Sequence, residues 1–278
     1  MYIDVYNILI LSGINIIMVL GLNSITGVTG QLSLGHAAFI GIGAYTSSLL
    51  MMMFNIPFGV ALIAAALMAG LIGGLFSIPI LRLRGDYLAI ATLGFCEVVR
   101  VIFTNMKVTI NGEVQRLSVS LANIPQHINL PLILILVCFS ILFMISLERS
   151  KFGLALRSIR EDEVASQMMG IDIARHKVMA FAISSAFAGL GGALMASNIT
   201  AIQPIDFGFK LSIGILCMLV LGGMGSIVGV IAGTIILTSI PELLRFAAEY
   251  RMIMYGVVLI IMMVFRPRGL FGNIRVNV

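Results

Sequence analysis

Groups able to do bond-making chemistry are few and scattered along this 278-residue chain. His36, His127 and His176 stand far apart, and Cys96, Cys138 and Cys217 each lie inside an apolar run with no C-x-x-C pair. General acid-base or metal catalysis needs several such groups converging on one pocket, and no spacing here brings them together. The three cysteines read as small buried hydrophobes, and His36 as a hydrogen-bonded packing residue rather than a metal ligand. A membrane enzyme is therefore disfavoured. The chain also has no G-x-x-x-x-G-K-[ST] sequence, so it carries no phosphate-cradling loop of its own.

What remains is the chemistry of recognition and coupling, in three places. The first is Gly27-Val28-Thr29-Gly30-Gln31-Leu32-Ser33-Leu34-Gly35-His36, lying between two apolar runs. Glycines permit tight turns, and Thr29, Gln31 and Ser33, with backbone exposed around Gly30 and Gly35, can bind a zwitterion or water along a path. The alternative is a simple loop with helix caps. The second is Glu97 with Arg100, three residues apart on one helical face; an intramembrane charge is costly and usually faces a cavity or a partner. Glu97 is thus a pathway candidate, against a self-neutralising pair whose Arg100 snorkels outward.

The third place is the hydrophilic loop between Glu148 and Lys177. Ser158 followed by Glu161 has the capping-box spacing, Arg160-Glu161-Asp162-Glu163 places acids where a helix begins, and Gly170 suits its end. Val164, Ala165, Met168 and Met169 fall on one face of that helix, and Arg160, Glu163 and Gln167 on another. A methionine-bearing patch rimmed by charge suits docking into a partner's groove, while periodicity alone fits lipid headgroups equally.

The elements that hold these places are set by composition. Hydrophobic residues make up 60% of the chain and charged ones 10%, against roughly 25% charged in a soluble domain. Mean hydropathy is +1.11, with 29 glycines and 18 methionines, as in helices solvated by lipid. At about 20 residues per crossing the length holds roughly eight or nine spans. Apolar runs place them near Ile8 to Ile25, Ala37 to Phe54, Pro57 to Leu81, Tyr87 to Asn105, Leu130 to Leu147, Val178 to Ala196, Leu211 to Gly223, Ser226 to Ile240 and Met252 to Phe265. The run at Leu211 is short and reads as broken, and Met106 to Asn129 is a polar stretch. The expected fold is all-α: one polytopic membrane bundle over residues 1–278, with a re-entrant or broken segment at Thr26 to His36 and a short extramembrane helix in the loop at about 148–177.

Arg149, Lys151, Arg157, Arg160, Arg175 and Lys177 make that loop cytoplasmic by the positive-inside rule. Alternation then puts Arg82, Arg84, Arg266, Arg268 and Arg275 on the same side, and leaves Lys107, Arg116, Lys210, Arg245 and Arg251 outside. The first ten residues carry no lysine or arginine, so a cleaved signal peptide is not expected. Four-residue spacing of small residues, Ser184, Ala188, Gly192 and Ala196 in one span and Gly225, Gly229 and Gly233 in another, predicts close helix packing in lipid.

Four blocks resemble one family, the permease subunits of the branched-chain amino acid ABC importers. They are Gly21-Leu22-Asn23 with Thr29 through Phe39 to Gly43-Ala44-Tyr45, Leu83-Arg84-Gly85-Asp86-Tyr87 to Thr92-Leu93-Gly94-Phe95, Phe152 through Gly170 into Lys177, and Arg266-Pro267-Arg268-Gly269-Leu270-Phe271-Gly272. The resemblance implies a multi-pass subunit of a bacterial or archaeal plasma (inner) membrane, in contact with lipid and not nucleic acid. It implies a second homologous permease, two cytoplasmic ATPases and a periplasmic or extracellular binding protein. Arg160 to Gly170 would be the coupling helix seated in an ATPase. No cofactor or metal is expected on this chain, since ATP and Mg would sit on the partners. The chain departs from the family pattern at Glu113-Val114-Gln115-Arg116, where a further turn is usual, and at Leu154, where arginine is common. Importers of urea, amides, nucleosides or sugars remain alternatives, as does, more remotely, an ion-coupled carrier.

Overall fold

The computed structural model describes residues 5–80, 83, 85–110, 113–116, 124, 125, 128–243 and 256. Long apolar runs have no water to satisfy their backbone groups in lipid, so they fold as helices that bond internally. Helix α1 (Val5–Leu22) widens into a π-helical turn (Asn23–Val28), followed by non-helical residues 29–35. Then come α2 (His36–Phe54), α3 (Phe58–Ile80), α4 (Asp86–Asn105), strands β1 (Lys107–Ile110) and β2 (Glu113–Arg116), and α5 (Leu130–Arg149). The loop holds α6 (Lys151–Glu161) and α7 (Glu163–Met168), and α8 (Ile173–Ile199), a 3-10 turn (Pro204–Phe207), α9 (Phe209–Gly222) and α10 (Ile227–Leu243) complete the order.

Six helical segments are long and apolar enough to cross a membrane, among them Val5–Val28, where α1 and its π turn run on as one. Two shorter apolar helices, Phe209–Gly222 and Ile227–Ser239, accompany them. This is the multi-pass helical bundle expected, with the broken segment where the sequence places it; the seventh run is short, as expected, but forms one continuous helix, α9, rather than a broken one. The last expected span, Met252 to Phe265, lies outside the described residues. So do His127, Arg82, Arg84, Arg245, Arg251, Arg275 and the block Arg266 to Gly272.

A small hairpin is an addition to the all-α reading. Strands β1 and β2 pair antiparallel, with Lys107 opposite Arg116 and Ile110 opposite Glu113.

Helix α8 is the central post, packed by α1, α2 and α3. A Cβ on Gly192 would sit 2.0 Å from the Ile40 carbonyl oxygen, so the α2 and α8 backbones meet with no room for any side chain. Ser184 and Ala188 serve the same contact with α1, lying against Gly21. On the second ridge Gly229 and Gly233 pack on Gly222 of α9. Gly225 does not share that helix face. The α9-to-α10 reversal is completed within residues 223–226, and Gly225 (φ +88°) lies in it, in a conformation side chains resist. Cys96 and Cys217 are buried, whereas Cys138 is exposed on α5, a correction to the reading of all three as core.

Candidate functional site

Residues 29–35 leave the helical ladder, and the neighbouring polar side chains take up their backbone groups. Thr29 Oγ1 donates to the Ser24 carbonyl (2.9 Å), Thr26 Oγ1 to the Gln31 carbonyl (3.1 Å), and the Gln31 N–H to the Ile25 carbonyl (3.2 Å). Further on, the Leu34 N–H donates to Thr92 Oγ1 and the Ala37 N–H to Ser212 Oγ, both at 3.0 Å. Non-helical backbone at membrane depth survives only with such partners or beside water. Thr29, Gln31, Ser33 and Gly35 are buried, while Gly30 (φ +75°) is exposed. Gln31 is 8% exposed, and its Oε1 has no hydrogen-bond partner. His36 is buried with Nε2 3.0 Å from the Met18 carbonyl, the packing role read from the sequence.

The loop folds as two helices rather than the single capped helix expected. Ser158 lies within α6, its hydroxyl 2.7 Å from Ser166 Oγ, and Glu161 is the last residue of that helix. The cap of α7 is Asp162, whose extended backbone breaks the chain (φ −154°, ψ 115°) and whose carboxylate accepts from the Val164 N–H (2.8 Å) and the Ala165 N–H (3.1 Å). Several residues here can cap; the one that does is where the chain turns. Gly170 stops α7 as expected: at φ +83° it donates to the Gln167 carbonyl, and Ile171 donates to that of Ser166.

Ser166 is buried against α6, which leaves Val164, Ala165, Met168 and Met169 facing outward, the two methionines 83% and 85% exposed. Around this patch the loop is fastened to the bundle. Lys177, buried at the start of α8, reaches Glu163 Oε1 at 2.5 Å, and Arg157 pairs with Glu148 at 2.9 Å. The Arg160 guanidinium donates to the Gly27 carbonyl, and its chain covers Gly30.

That last contact joins two places that the sequence offers only separately. A cleft of 680 Å³ lies between them, with Thr26, Thr29, Gly30 and Gln31 on one wall and Arg160, Glu161, Asp162, Glu163 and Lys177 on the other. Ser33 and Gly35 do not line this cleft, and Glu97 stands elsewhere, on α4, paired with Arg100 at 2.7 Å. Sequence reasoning missed Gly27, Asn23 and Lys177 as connecting residues. Asn23 Oδ1 accepts from the Gly225 N–H (2.8 Å), tying the π turn to the α9–α10 reversal. A lysine at the head of an apolar span was the one available signal for the Lys177 tie.

A family model described as the branched-chain amino acid transport system permease component matches residues 5–264. The chain is 38% identical to the high-affinity branched-chain amino acid transport system permease protein LivM of Escherichia coli, over 95% of this chain and 69% of that one. It is 37% identical to the protein of the same name from Salmonella typhimurium, over 94% of this chain and 68% of that one. A more distant relative is the L-arabinose transport system permease protein AraH of Escherichia coli, 28% identical over 49% of this chain and 43% of that one. No solved structure matches the chain.

Proposed function

The chain belongs to the family of branched-chain amino acid transport permease components, and from that premise we propose that it is the membrane subunit of an ATP-driven importer of branched-chain or similar amino acids. In this reading two ATPases, which hold ATP and Mg, act from the cytoplasmic side of a bacterial or archaeal inner membrane. A second homologous permease completes the membrane unit, and an external binding protein delivers solute. The exposed face of α7 seats in an ATPase, and Arg160, Glu161, Asp162, Glu163, Ala165, Met168 and Gly170 form or shape that seat. Thr29, Gly30, Gln31, Ser33 and Gly35 lie on or beside the solute path, and Glu97 on its wall.

The observation that carries the reading is the Arg160 guanidinium on the Gly27 carbonyl. It connects an exposed docking element to the broken segment, so motion delivered at α7 reaches backbone that is not held by a helical ladder. The orphaned Gln31 Oε1 beside the cleft supports passage of a polar solute, because an unmade buried acceptor is costly unless something visits it.

The test is uptake by the reconstituted complex. Replacing Glu161 and Gly170 together should leave the complex assembled and hydrolysing ATP while uptake fails; undiminished uptake would remove the docking assignment. Gln31→Leu with Ser33→Leu should lower uptake with assembly intact, and unchanged kinetics would favour a plain loop. A sugar as solute is the second reading, favoured by the likeness to an L-arabinose permease. Ligand screening of the associated binding protein separates the two.

A further inference from the structure

The cleft between the broken segment and the coupling loop has an apolar lining as well as its charged one. Leu32, Leu83, Leu88, Ile159 and Met224 share it with Gln31, Arg160, Glu161 and Glu163, so one cavity of 680 Å³ offers aliphatic surface, a cation and carboxylates together. Leu88 and Ile159 are buried, and Met224 is exposed.

Gln31 is the group that calls for a ligand. Its side chain is more than nine-tenths buried, it lines the cleft, and its Oε1 has no hydrogen-bond partner. A buried acceptor left unmade is costly, and the cleft is where a donor can reach this one. The Thr26 and Thr29 hydroxyls spend their protons on the Gln31 and Ser24 carbonyls, so they present only lone pairs to a further partner. Together with Glu161 and Glu163 these groups accept, and an ammonium, with three donors and a positive charge, answers them. Arg160 supplies the opposite charge. Its Nη1 donates to the Gly27 carbonyl, and a guanidinium has five N–H donors, enough to hold a carboxylate as well.

We propose that this cleft is a binding site for a free aliphatic amino acid arriving from the loop's side of the membrane, and that its occupant slows the transporter. The ammonium meets Gln31 Oε1, the carboxylate meets Arg160, and the aliphatic chain lies on the leucines and Met224. Arg160 already ties the two walls, through Gly27 and by covering Gly30, and Lys177 holds Glu163 to α8. An amino acid touching Gln31 on one wall and Arg160 on the other adds a second tie. A ligand that binds only the joined arrangement favours it by a factor of 1 + [L]/Kd, about elevenfold at ten times Kd. Solute accumulated inside the cell thereby limits its own entry. This rests on the reading of the chain as an amino acid permease whose loop faces the ATPases.

The test uses the whole complex in vesicles, with the ATPases outward and the binding protein and radiolabelled isoleucine enclosed, so that leucine is added to the ATPase side alone. Leucine should lower both ATP turnover and isoleucine transport about tenfold at ten times its half-inhibiting concentration. Alanine should need more, by about fourfold for each methylene that only leucine buries. The acid 4-methylpentanoate, which keeps the chain and carboxylate but lacks the ammonium, should not inhibit. Photoleucine, a diazirine analogue, should label Leu32, Leu83 or Met224, with excess leucine protecting. Met224→Trp fills the cleft and should abolish inhibition and labelling while turnover without added leucine stays at the wild-type rate; Leu83→Phe replaces it should that variant fail to assemble. Turnover indifferent to leucine, a cleft that takes no label, or inhibition that survives the filled cleft overturns the site. A wild-type complex that transports no amino acid overturns the permease reading instead, and photoleucine labelling of the cleft, which needs no transport, still reports the site.

Discussion

Replacing Asp162 by alanine tests whether the proposed coupling element works as a capped helix. Helix α7 has only 6 residues, too few to hold itself together, since isolated helices of this length are unstable in water. Two of its leading N–H groups, those of Val164 and Ala165, are satisfied by the Asp162 carboxylate at 2.8 and 3.1 Å. Losing an N-cap of this kind costs about 1 kcal/mol. If the partner recognises α7 as a helix, that cost appears as a dissociation constant for the ATPase raised about fivefold. The assay is titration of the purified ATPase onto the permease, read alongside solute-stimulated ATP turnover. Asp162→Asn keeps the acceptor and should stay close to wild type. Wild-type affinity in Asp162→Ala would refute the reasoning. Equal loss in Asp162→Asn would refute it differently, by showing that the charge is read directly and the cap is incidental.

Three further outcomes are expected. Arg160→Ala removes a charge-assisted hydrogen bond worth about 1.5–3 kcal/mol, so ATP hydrolysis should continue while uptake per ATP falls, measured in vesicles loaded with nucleotide. Lys177→Met removes the buried Lys177–Glu163 ion pair and should destabilise the loop by about 1–3 kcal/mol, seen as faster proteolytic nicking between α6 and α8. Gly192→Val must displace the Ile40 carbonyl and should destabilise the detergent-solubilised protein by about 1–3 kcal/mol or more on thermal unfolding. Gly59→Ala, where a Cβ meets nothing within 4 Å, should leave the melting temperature nearly unchanged.

Composition and run length are enough to dictate the medium and the elements. Apolar runs of spanning length dictate helices in lipid, because only internally bonded backbone is tolerated there, and the break at Thr26 to His36 is written in glycine and polar residues. Gly170 was legible as a stop because its role is local. The cap was not: Ser158, Asp162 and their neighbours offer rival starts, and the choice fell to the residue at which α6 must turn so that Ser158 and Ser166 can meet. Gly225 was misplaced on a helix face because spacing cannot tell a helical glycine from one in a reversal.

How these pieces come together is a matter of packing. Gly27 and Arg160 are more than a hundred residues apart, as are Asn23 and Gly225, and no periodicity relates them. They meet because α1 and α8 pack closely through small residues, which brings the broken segment down onto the loop. Likewise, spacing pairs Glu97 with Arg100, but that the pair stays half-buried beside the 3-10 turn follows from which helices bury which sides. Local patterns are set by bonding along one chain segment, whereas juxtaposition is set by how surfaces exclude lipid from one another, and that is a property of the whole bundle.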